Sequence, residues 1–233
     1  MEALKNGRDI DRIIIAEGAE GSVKKIEAMA RERGIAVRRE DRRQLDRITE
    51  GAAHQGVAAY ASDYKYAEIG DILGLAEERG EDPFVIVCDG IEDPHNLGAI
   101  IRSAECAGAH GVIIGKRRSA GLTETAAKSS AGAVEYVLCA RVTNISRAVE
   151  ELKAAGIWAA ACDMDGTAYT DADLKGPLAL VIGGEGTGIS RLVREKCDFT
   201  VSIPMKGKVN SLNASNAAAV LMYEVRRQRD GQR

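Results

Sequence analysis

No uninterrupted apolar run in this chain of 233 residues approaches the roughly 20 that a membrane-spanning helix requires. The opening stretch, MEALKNGRDI, also carries no apolar segment of the signal-peptide kind. No membrane partner is therefore expected, and the reading is a cytoplasmic protein. The five cysteines (Cys88, Cys106, Cys139, Cys162 and Cys197) are odd in number and show neither CxxC nor Cys/His ligand spacing. They read as small core residues of a reduced protein. His54, His95 and His110 are dispersed, so no metal site is expected.

A large excess of either charge is missing too. The formal net charge of -3 gives no global attraction to nucleic acid, so an RNA partner would have to be met by local basic patches. Such patches exist at Arg38, Arg39, Arg42, Arg43 and Arg47, at Lys116, Arg117 and Arg118, and at Lys206 and Lys208. Glu40, Asp41, Asp46 and Glu50 interleave with the first of them, as on an ordinary solvated surface.

What is present is an ordinary globular composition, 45% hydrophobic, arranged in two patterns. The first part reads as a small αβ unit. Ile10 to Ala16 is a strand, and Ser22 caps a helix with apolar positions Val23, Ile26, Met29 and Ala30, which Gly34 ends. Ile35 to Val37 is a short strand, Asp41 to Ile48 a helix and Val57 to Tyr60 a strand. Met1 to Lys5 reads as the tail of a helix whose beginning is absent, which points to a truncated start. A further helix covers Tyr66 to Ala76, and the charged run AEERGEDP then reads as a linker. The expected division is a first domain at 1–75, a linker at 76–82 and a second domain at 83–233.

From Phe84 onward strands and helices alternate. Strands are expected at Phe84 to Cys88, Gly111 to Ile114, Val134 to Leu138, Ile157 to Ala161, Leu178 to Ile182 and Thr200 to Ile203. Helices are expected at Leu97 to Ala107, Thr123 to Ala131, Thr143 to Ala155, Ser190 to Lys196 and Asn213 to Arg227. Short apolar strands without polar alternation belong to a sheet covered on both faces, so this half is α/β with a mainly parallel sheet. Ligands of such sheets bind beyond the carboxyl ends of the strands.

The loops at those ends carry the functional reading. In DPHNLGAIIRSAECAG, Asn96 is placed to cap a helix whose stripe Leu97, Ile101, Ala104 and Gly108 faces the sheet. Arg102 falls off that stripe, where the macrodipole disfavours a cation. It is either held for a phosphate or paired on the surface with Glu105 or Asp93. Lys128, Ser129 and Ser130 precede a glycine, where they either meet a sugar-phosphate backbone or simply end a helix. The strand at Leu178 runs into GGEGTGIS, whose glycines allow close backbone approach to a ligand. A dinucleotide fits poorly there, because Glu185 repels phosphate and Pro204 and Met205 stand where a ribose-binding acid belongs. Glu185 instead faces a neutral or cationic group, or holds a neighbouring backbone segment. Ser211, Asn213 and Ser215 are competing caps for the last helix or parts of a polar site; three in five positions exceed what one helix start needs.

Together DPHNLGAIIRSAECAGAHGVI, LVIGGEGTGIS and IPMKGKVNSLNASNAAAVLMYE resemble the SpoU (TrmH-like) family of RNA ribose 2′-O-methyltransferases, of the knotted SPOUT class. The resemblance covers Phe84 to Arg229. The first domain, with HQGVAAY at His54 to Tyr60, is similar to the small L30e-like substrate-binding domain of bacterial large-subunit rRNA guanosine methyltransferases of the RlmB type. The resemblance implies a carboxyl-terminal trefoil knot, against the ordinary rule that chains do not thread loops. It further implies S-adenosylmethionine as methyl donor, a homodimer and RNA, most simply rRNA, as partner. By the same route Gly183, Gly184, Ile203, Met205 and Leu212 are expected at the cofactor, and Asn96, Arg102, Glu185, Ser211 and Asn213 at the catalytic site. Lys128, Ser129, Arg38 and Arg39 are expected at RNA. A tRNA target and a non-catalytic ribosome-assembly protein of the same fold are the alternatives.

Overall fold

The computed structural model describes residues 4, 10–19, 21–49, 51, 53–61 and 64–231. Apart from Leu4, which is helical, the expected helix tail at Met1 to Lys5 lies outside them. The chain divides into two compact units, Met1–Lys65 and Tyr66–Arg233.

In the first unit β1 (Ile10–Ala16) is flanked by β2 (Ala36–Glu40), parallel to it, and β3 (Val57–Ala61), antiparallel. Alternate side chains of a strand point to opposite faces. Ile13 and Ile15 accordingly pack with Val23, Ile26 and Ala30 of α1 (Ser22–Glu32), while Ile14 and Ala16 pack with Leu45 of α2 (Arg42–Ile48). Gly21, at φ 76°, takes the cap position of α1 in place of Ser22, which is the first helical residue. Asp41 caps α2, its carboxylate accepting from Gln44 N at 2.8 Å.

The second unit opens with α3 (Ile69–Arg79). Ala76 to Arg79 form its last turn, with Ala76 buried and Gly80 closing it in the left-handed conformation. The stretch expected as a linker thus begins as helix, and the compact units divide at Lys65 and Tyr66 instead. The charged residues of AEERGEDP hid a helix end because Ile69, Ile72 and Ala76 alone supply its buried face.

Then follow β4 (Phe84–Asp89), α4 (Pro94–Cys106), β5 (Gly111–Gly115), α5 (Glu124–Ser129), β6 (Leu138–Val142), α6 (Ile145–Ala154), β7 (Trp158–Ala168), β8 (Leu178–Gly183), α7 (Arg191–Arg194), β9 (Phe199–Ser202) and α8 (Ala214–Asp230). All six strands are parallel, in the order β6-β5-β4-β8-β7-β9. Val85, Val87, Ile113, Ala159, Ala161, Ala179 and Val181 cover one face together with α3, α6 and α7. The alternate residues Ile86, Cys88, Val112, Ile114, Leu180 and Ile182 are buried beneath α4 and α8. Both faces are closed, as the unbroken apolar strands require.

One expected strand is displaced. Val134 to Leu138 is instead a 3-10 turn at Ala133–Glu135 leading into β6 at Leu138. Val134 and Val137 are apolar because they are buried, not because they are extended, and Val134 N donates to Ser130 Oγ at 3.4 Å. Among the cysteines Cys88 and Cys139 are core residues, but Cys106 is exposed at the end of α4 and Cys162 and Cys197 are half-buried. Near the end of α8, Gln228 donates to Ala172 O (3.0 Å) and Glu224 Oε1 (2.8 Å) and accepts from Leu174 N (2.9 Å). Arg229 donates to Asp82 O, Pro83 O and Gly176 O. These bonds fix the far end of α8 and so aim its start at the carboxyl edge of the sheet.

Candidate active site

Three segments leave that edge and converge: 90–96 after β4, 184–190 after β8 and 203–213 after β9. The glycine loop is bound to the end of β4. Gly184 N donates to Asp89 O (2.9 Å), Gly188 N to Gly184 O (2.9 Å), and Ser190 N to Asp89 Oδ2 (2.7 Å). A Cβ on Gly184 would stand 2.1 Å from Gly90 O, and one on Gly183 2.3 Å from Ile189 N. These two glycines are therefore required by backbone packed on backbone, before any ligand is considered.

Two helix starts meet at this loop. Asp93, not Asn96, caps α4, its carboxylate accepting from His95 N at 2.9 Å with Pro94 in the first helical turn. Asn96 lies inside the first turn, only 7% exposed. Asn213 caps α8, its Oδ1 accepting from Ser215 N (2.9 Å), Asn216 N (3.3 Å) and the Ser215 hydroxyl (2.6 Å). Its Nδ2 donates to Asn96 Oδ1 (2.9 Å) and to Glu185 Oε1 (2.5 Å), while Asn96 Nδ2 donates to Glu185 Oε1 at 3.1 Å. The far ends of the two helices are also neighbours, since a Cβ on Gly108 would lie 3.5 Å from Arg226 Nη1. Helices α4 and α8 thus run side by side in one direction, and Glu185 sits where both present their positive ends. This explains a carboxylate in a glycine turn: two side-chain amides and two helix dipoles hold it.

A cavity of about 610 Å³ opens beside this cluster. Gly183, Gly184, Ile203, Met205 and Leu212 all line it, as do Glu185, Ser211 and Asn213, over an apolar floor that includes Val201 and Leu221. Arg102 is not among the lining residues. It is exposed on α4 and, among the described residues, makes no hydrogen bond or ion pair, so neither Glu105 nor Asp93 holds it. Lys128 is exposed and paired with Glu124 at 2.6 Å, and Ser129 Oγ meets His95 Nδ1 at 3.0 Å. Arg38 and Arg39 are exposed on the edge strand β2 of the first unit, Arg39 paired with Glu27 at 2.9 Å. The structure therefore gathers Asn96, Glu185, Ser211 and Asn213, and leaves Arg102 outside the cavity of its own chain.

Residues 83–223 match the model of the SpoU rRNA methylase family. The chain belongs to that family. Residues 1–67 match a second model, RNA 2′-O ribose methyltransferase substrate binding. The chain is 47% identical over 232 residues to the protein of Bacillus subtilis (strain 168) named "Putative TrmH family tRNA/rRNA methyltransferase YacO", covering 99% of this chain and 93% of that protein. The solved SpoU methyltransferase AviRb from Streptomyces viridochromogenes, in complex with the cofactor AdoMet, aligns with a TM-score of 0.65 at 28% identity over 98% of this chain and 87% of that one. The A. aeolicus TrmH/SpoU tRNA modifying enzyme aligns with a TM-score of 0.58 at 27% identity, over 65% of this chain and 77% of its own. The chain is an RNA methyltransferase of the SpoU family, and S-adenosylmethionine is its methyl donor.

The cavity of this SpoU methylase fits that donor. Its volume lies in the usual range for a small-molecule site, and its apolar floor with backbone walls suits a purine. From Met205 to Leu212 no backbone N–H donates to another backbone group among the described residues, which leaves donors for a ligand. The nearby carboxylates of Glu185 and Asp163 oppose a phosphate and favour a cation such as a sulfonium or ammonium. Cys162 also lines the cavity, but burial first, then Cys197 and Asp163, push its thiol well up, so it is not a thiolate nucleophile.

Two site residues escaped the sequence reading. Asp89 binds the glycine loop from the end of β4, and its only signal was its place at the carboxyl end of an apolar strand. Asp163 lines the cavity and pairs with Arg194 at 2.9 Å. Strand β7 was expected to stop at Ala161, yet it runs on to Ala168 along β9 and carries Asp163 to the site.

Proposed function

We propose that this methylase modifies the 2′-hydroxyl of a ribose, at a guanosine of large-subunit ribosomal RNA, in the cytosol and as a homodimer. The observation that carries the reading is the Asn96, Glu185 and Asn213 cluster at the wall of the glycine-lined cavity. A ribose hydroxyl needs positioning and proton loss rather than a strong protein nucleophile. S-adenosylmethionine, when bound there, supplies a methyl group already activated on a sulfonium.

The chain's residues take the remaining roles. Gly183, Gly184, Ile203, Met205 and Leu212 hold the cofactor, chiefly by backbone. Glu185 is fixed by the two amides, and with Ser211 and Asn213 it orients the groups that react. Arg102, exposed and unpaired among the described residues, holds the RNA phosphate beside the target ribose. A guanidinium is a donor only, so the hydroxyl proton passes to that phosphate or to water. A knotted course of 203–213 belongs to this reading; residues from both segments, among them Gly183, Gly184 and Gly188 and Ile203, Met205 and Leu212, line the same cavity.

Val220 and Tyr223, one turn apart on α8, are exposed apolar side chains, and Val209 and Leu212 add to them at the loop; these support the homodimer. Lys128, Ser129, Arg38 and Arg39 contribute RNA contacts, and the match of residues 1–67 to a substrate-binding model supports target choice by the first unit. A tRNA ribose is the second reading, supported by the likeness to the A. aeolicus TrmH/SpoU tRNA modifying enzyme. Calorimetry with S-adenosylmethionine tests the cavity: one saturable site per chain is expected, and a folded protein without a binding signal overturns the assignment.

A further inference from the structure

One basic patch of the sequence is absorbed by nothing above. Lys116, Arg117 and Arg118 follow β5 at the same carboxyl edge of the sheet as the active site. Arg117 and Arg118 are exposed, and among the described residues none of the three makes an ion pair or side-chain hydrogen bond. A surface cation without a neighbouring acid is common, but three in succession repel one another and need a reason to be held together.

The turn that carries them is built. Arg118 has φ 50°, in the left-handed region that a non-glycine residue adopts at a cost of about 1 kcal/mol or more. Gly115 before it admits no side chain freely, since a Cβ would stand 3.1 Å from Arg117 O. Backbone bonds clamp the turn at both ends: Lys116 N donates to Val142 O (2.8 Å) and Ala120 N to Ile91 O (2.7 Å). Leu122 N, just beyond, donates to the Tyr66 hydroxyl at 2.8 Å. Ile91 belongs to the loop that leads into Asp93 and Asn96, so the basic turn is bonded to the loop that enters α4 and brings Asn96 to the site. A further cation, Arg147, is exposed in the first turn of α6, where the macrodipole disfavours it; Ile145 of that turn lies 3.8 Å from the Cβ position of Gly115. In a chain with a net charge of -3, this is a local concentration of positive charge without ion-pair partners among the described residues, on a fixed backbone at the same edge of the sheet as the site.

We propose that the Lys116–Arg118 turn is a phosphate-docking subsite of the catalytic unit, binding the sugar-phosphate backbone of the substrate RNA next to the nucleotide being modified. The proposal rests on the reading of the chain as an RNA ribose methyltransferase and adds a contact surface separate from the substrate-binding unit. Phosphate contacts position a strand without reading its sequence, so the turn sets register at the active site and leaves target choice elsewhere.

The test is the triple variant K116Q/R117Q/R118N in the full chain. Asparagine tolerates the left-handed backbone at position 118, and the clamping bonds are all made by backbone atoms. Binding of a fluorescein-labelled single-stranded RNA of fixed length is followed by anisotropy across a salt series, with methyl transfer to unmethylated rRNA transcript measured beside it. The variant should lose about tenfold in RNA affinity at moderate salt, and its slope of log K against log salt should be shallower by about 2, the release expected for three phosphate contacts on a single strand. KM for RNA should rise in parallel, with the affinity for S-adenosylmethionine unchanged; lysine and arginine exchanged for one another at positions 116 and 117 should restore binding. An unchanged slope and affinity, or no RNA binding by the wild type, overturns the subsite. Absence of methyl transfer to the rRNA transcript by a wild type that still shows the charge-dependent slope overturns the rRNA reading and leaves the subsite standing.

Discussion

Asn213 and Asn96 lie 117 residues apart in the chain, yet the Asn213 amide donates to the Asn96 carbonyl at 2.9 Å where the first turns of α8 and α4 adjoin. Both amides donate to Glu185. The bond therefore ties together the two ends of the catalytic unit's sequence and the loop between them. Asn213 does two things at once, capping a helix with its oxygen and clamping the site with its nitrogen.

These two roles separate by substitution. Asn213→Ser keeps an N-cap oxygen but removes the clamping amide, so thermal unfolding should stay close to wild type while methyl transfer falls by about tenfold or more. Asn213→Ala should lose about 0.5–2 kcal/mol of stability in addition, read from urea denaturation. Full transfer by the serine variant would show that the clamp is not used.

Glycine positions in the loop should differ sharply. Gly184→Ala places a Cβ 2.1 Å from Gly90 O, backbone that cannot give way locally, so binding of S-adenosylmethionine should be lost. Gly186, at φ 78° with nothing within 4 Å of its Cβ position, should cost only the strain of the left-handed backbone, about 1–2 kcal/mol, when changed to alanine. Calorimetry on both variants checks the contrast; equal losses would contradict it.

Arg102 does not line the cavity and, among the described residues, makes no hydrogen bond or ion pair, so its removal should leave the cofactor site intact. Arg102→Ala is expected to bind S-adenosylmethionine as the wild type does and to transfer no methyl group. Undiminished transfer would remove Arg102 from the reaction.

Stability should depend on pH through a residue far from the site. His110 is 1% exposed; its Nδ1 accepts from Phe84 N at 3.0 Å, so the ring proton sits on Nε2, 3.2 Å from Glu81 Oε2. Burial, only partly opposed by Glu81, holds its pKa below the ordinary 6.5. The unfolded chain therefore takes up the proton first on acidification. The contribution of His110 is complete above about pH 6.5 and drains away as pH falls from there towards the lower folded-state value. Urea denaturation between about pH 7 and pH 5 should show this decline, and His110→Gln should flatten it in that window.

Much of this was legible in the chain. Apolar strands at Phe84, Gly111 and Leu178 leave no doubt of a covered parallel sheet, and the loops that follow the strands at Phe84, Leu178 and Phe199 proved to be the loops that meet. Burial without extension misled at Val134, where the apolar residues serve a turn. At α4 the better cap signal was Asp93 before Pro94, because proline needs no partner at the first helical position. That left Asn96 free to be what the site required, a buried side-chain amide. The overrun of β7 could not be read at all: Cys162 to Ala168 is polar and glycine-containing, and it pairs with β9, which arrives over thirty residues later, only at its two ends, Cys162 and Thr167–Ala168, around an irregularity. The partner of Glu185 was equally hidden, since only the folded chain shows that two helix starts flank it.

The central claim, transfer of a methyl group to a ribose oxygen, has a direct chemical readout. Unmethylated rRNA transcript is incubated with the protein and methyl-labelled S-adenosylmethionine, and the product is hydrolysed in alkali, which cleaves only where a free 2′-hydroxyl can attack the neighbouring phosphate. The account predicts label in alkali-resistant dinucleotides. Label in mononucleotides, which marks methylation of a base, or no incorporation by protein that binds the cofactor, would contradict it.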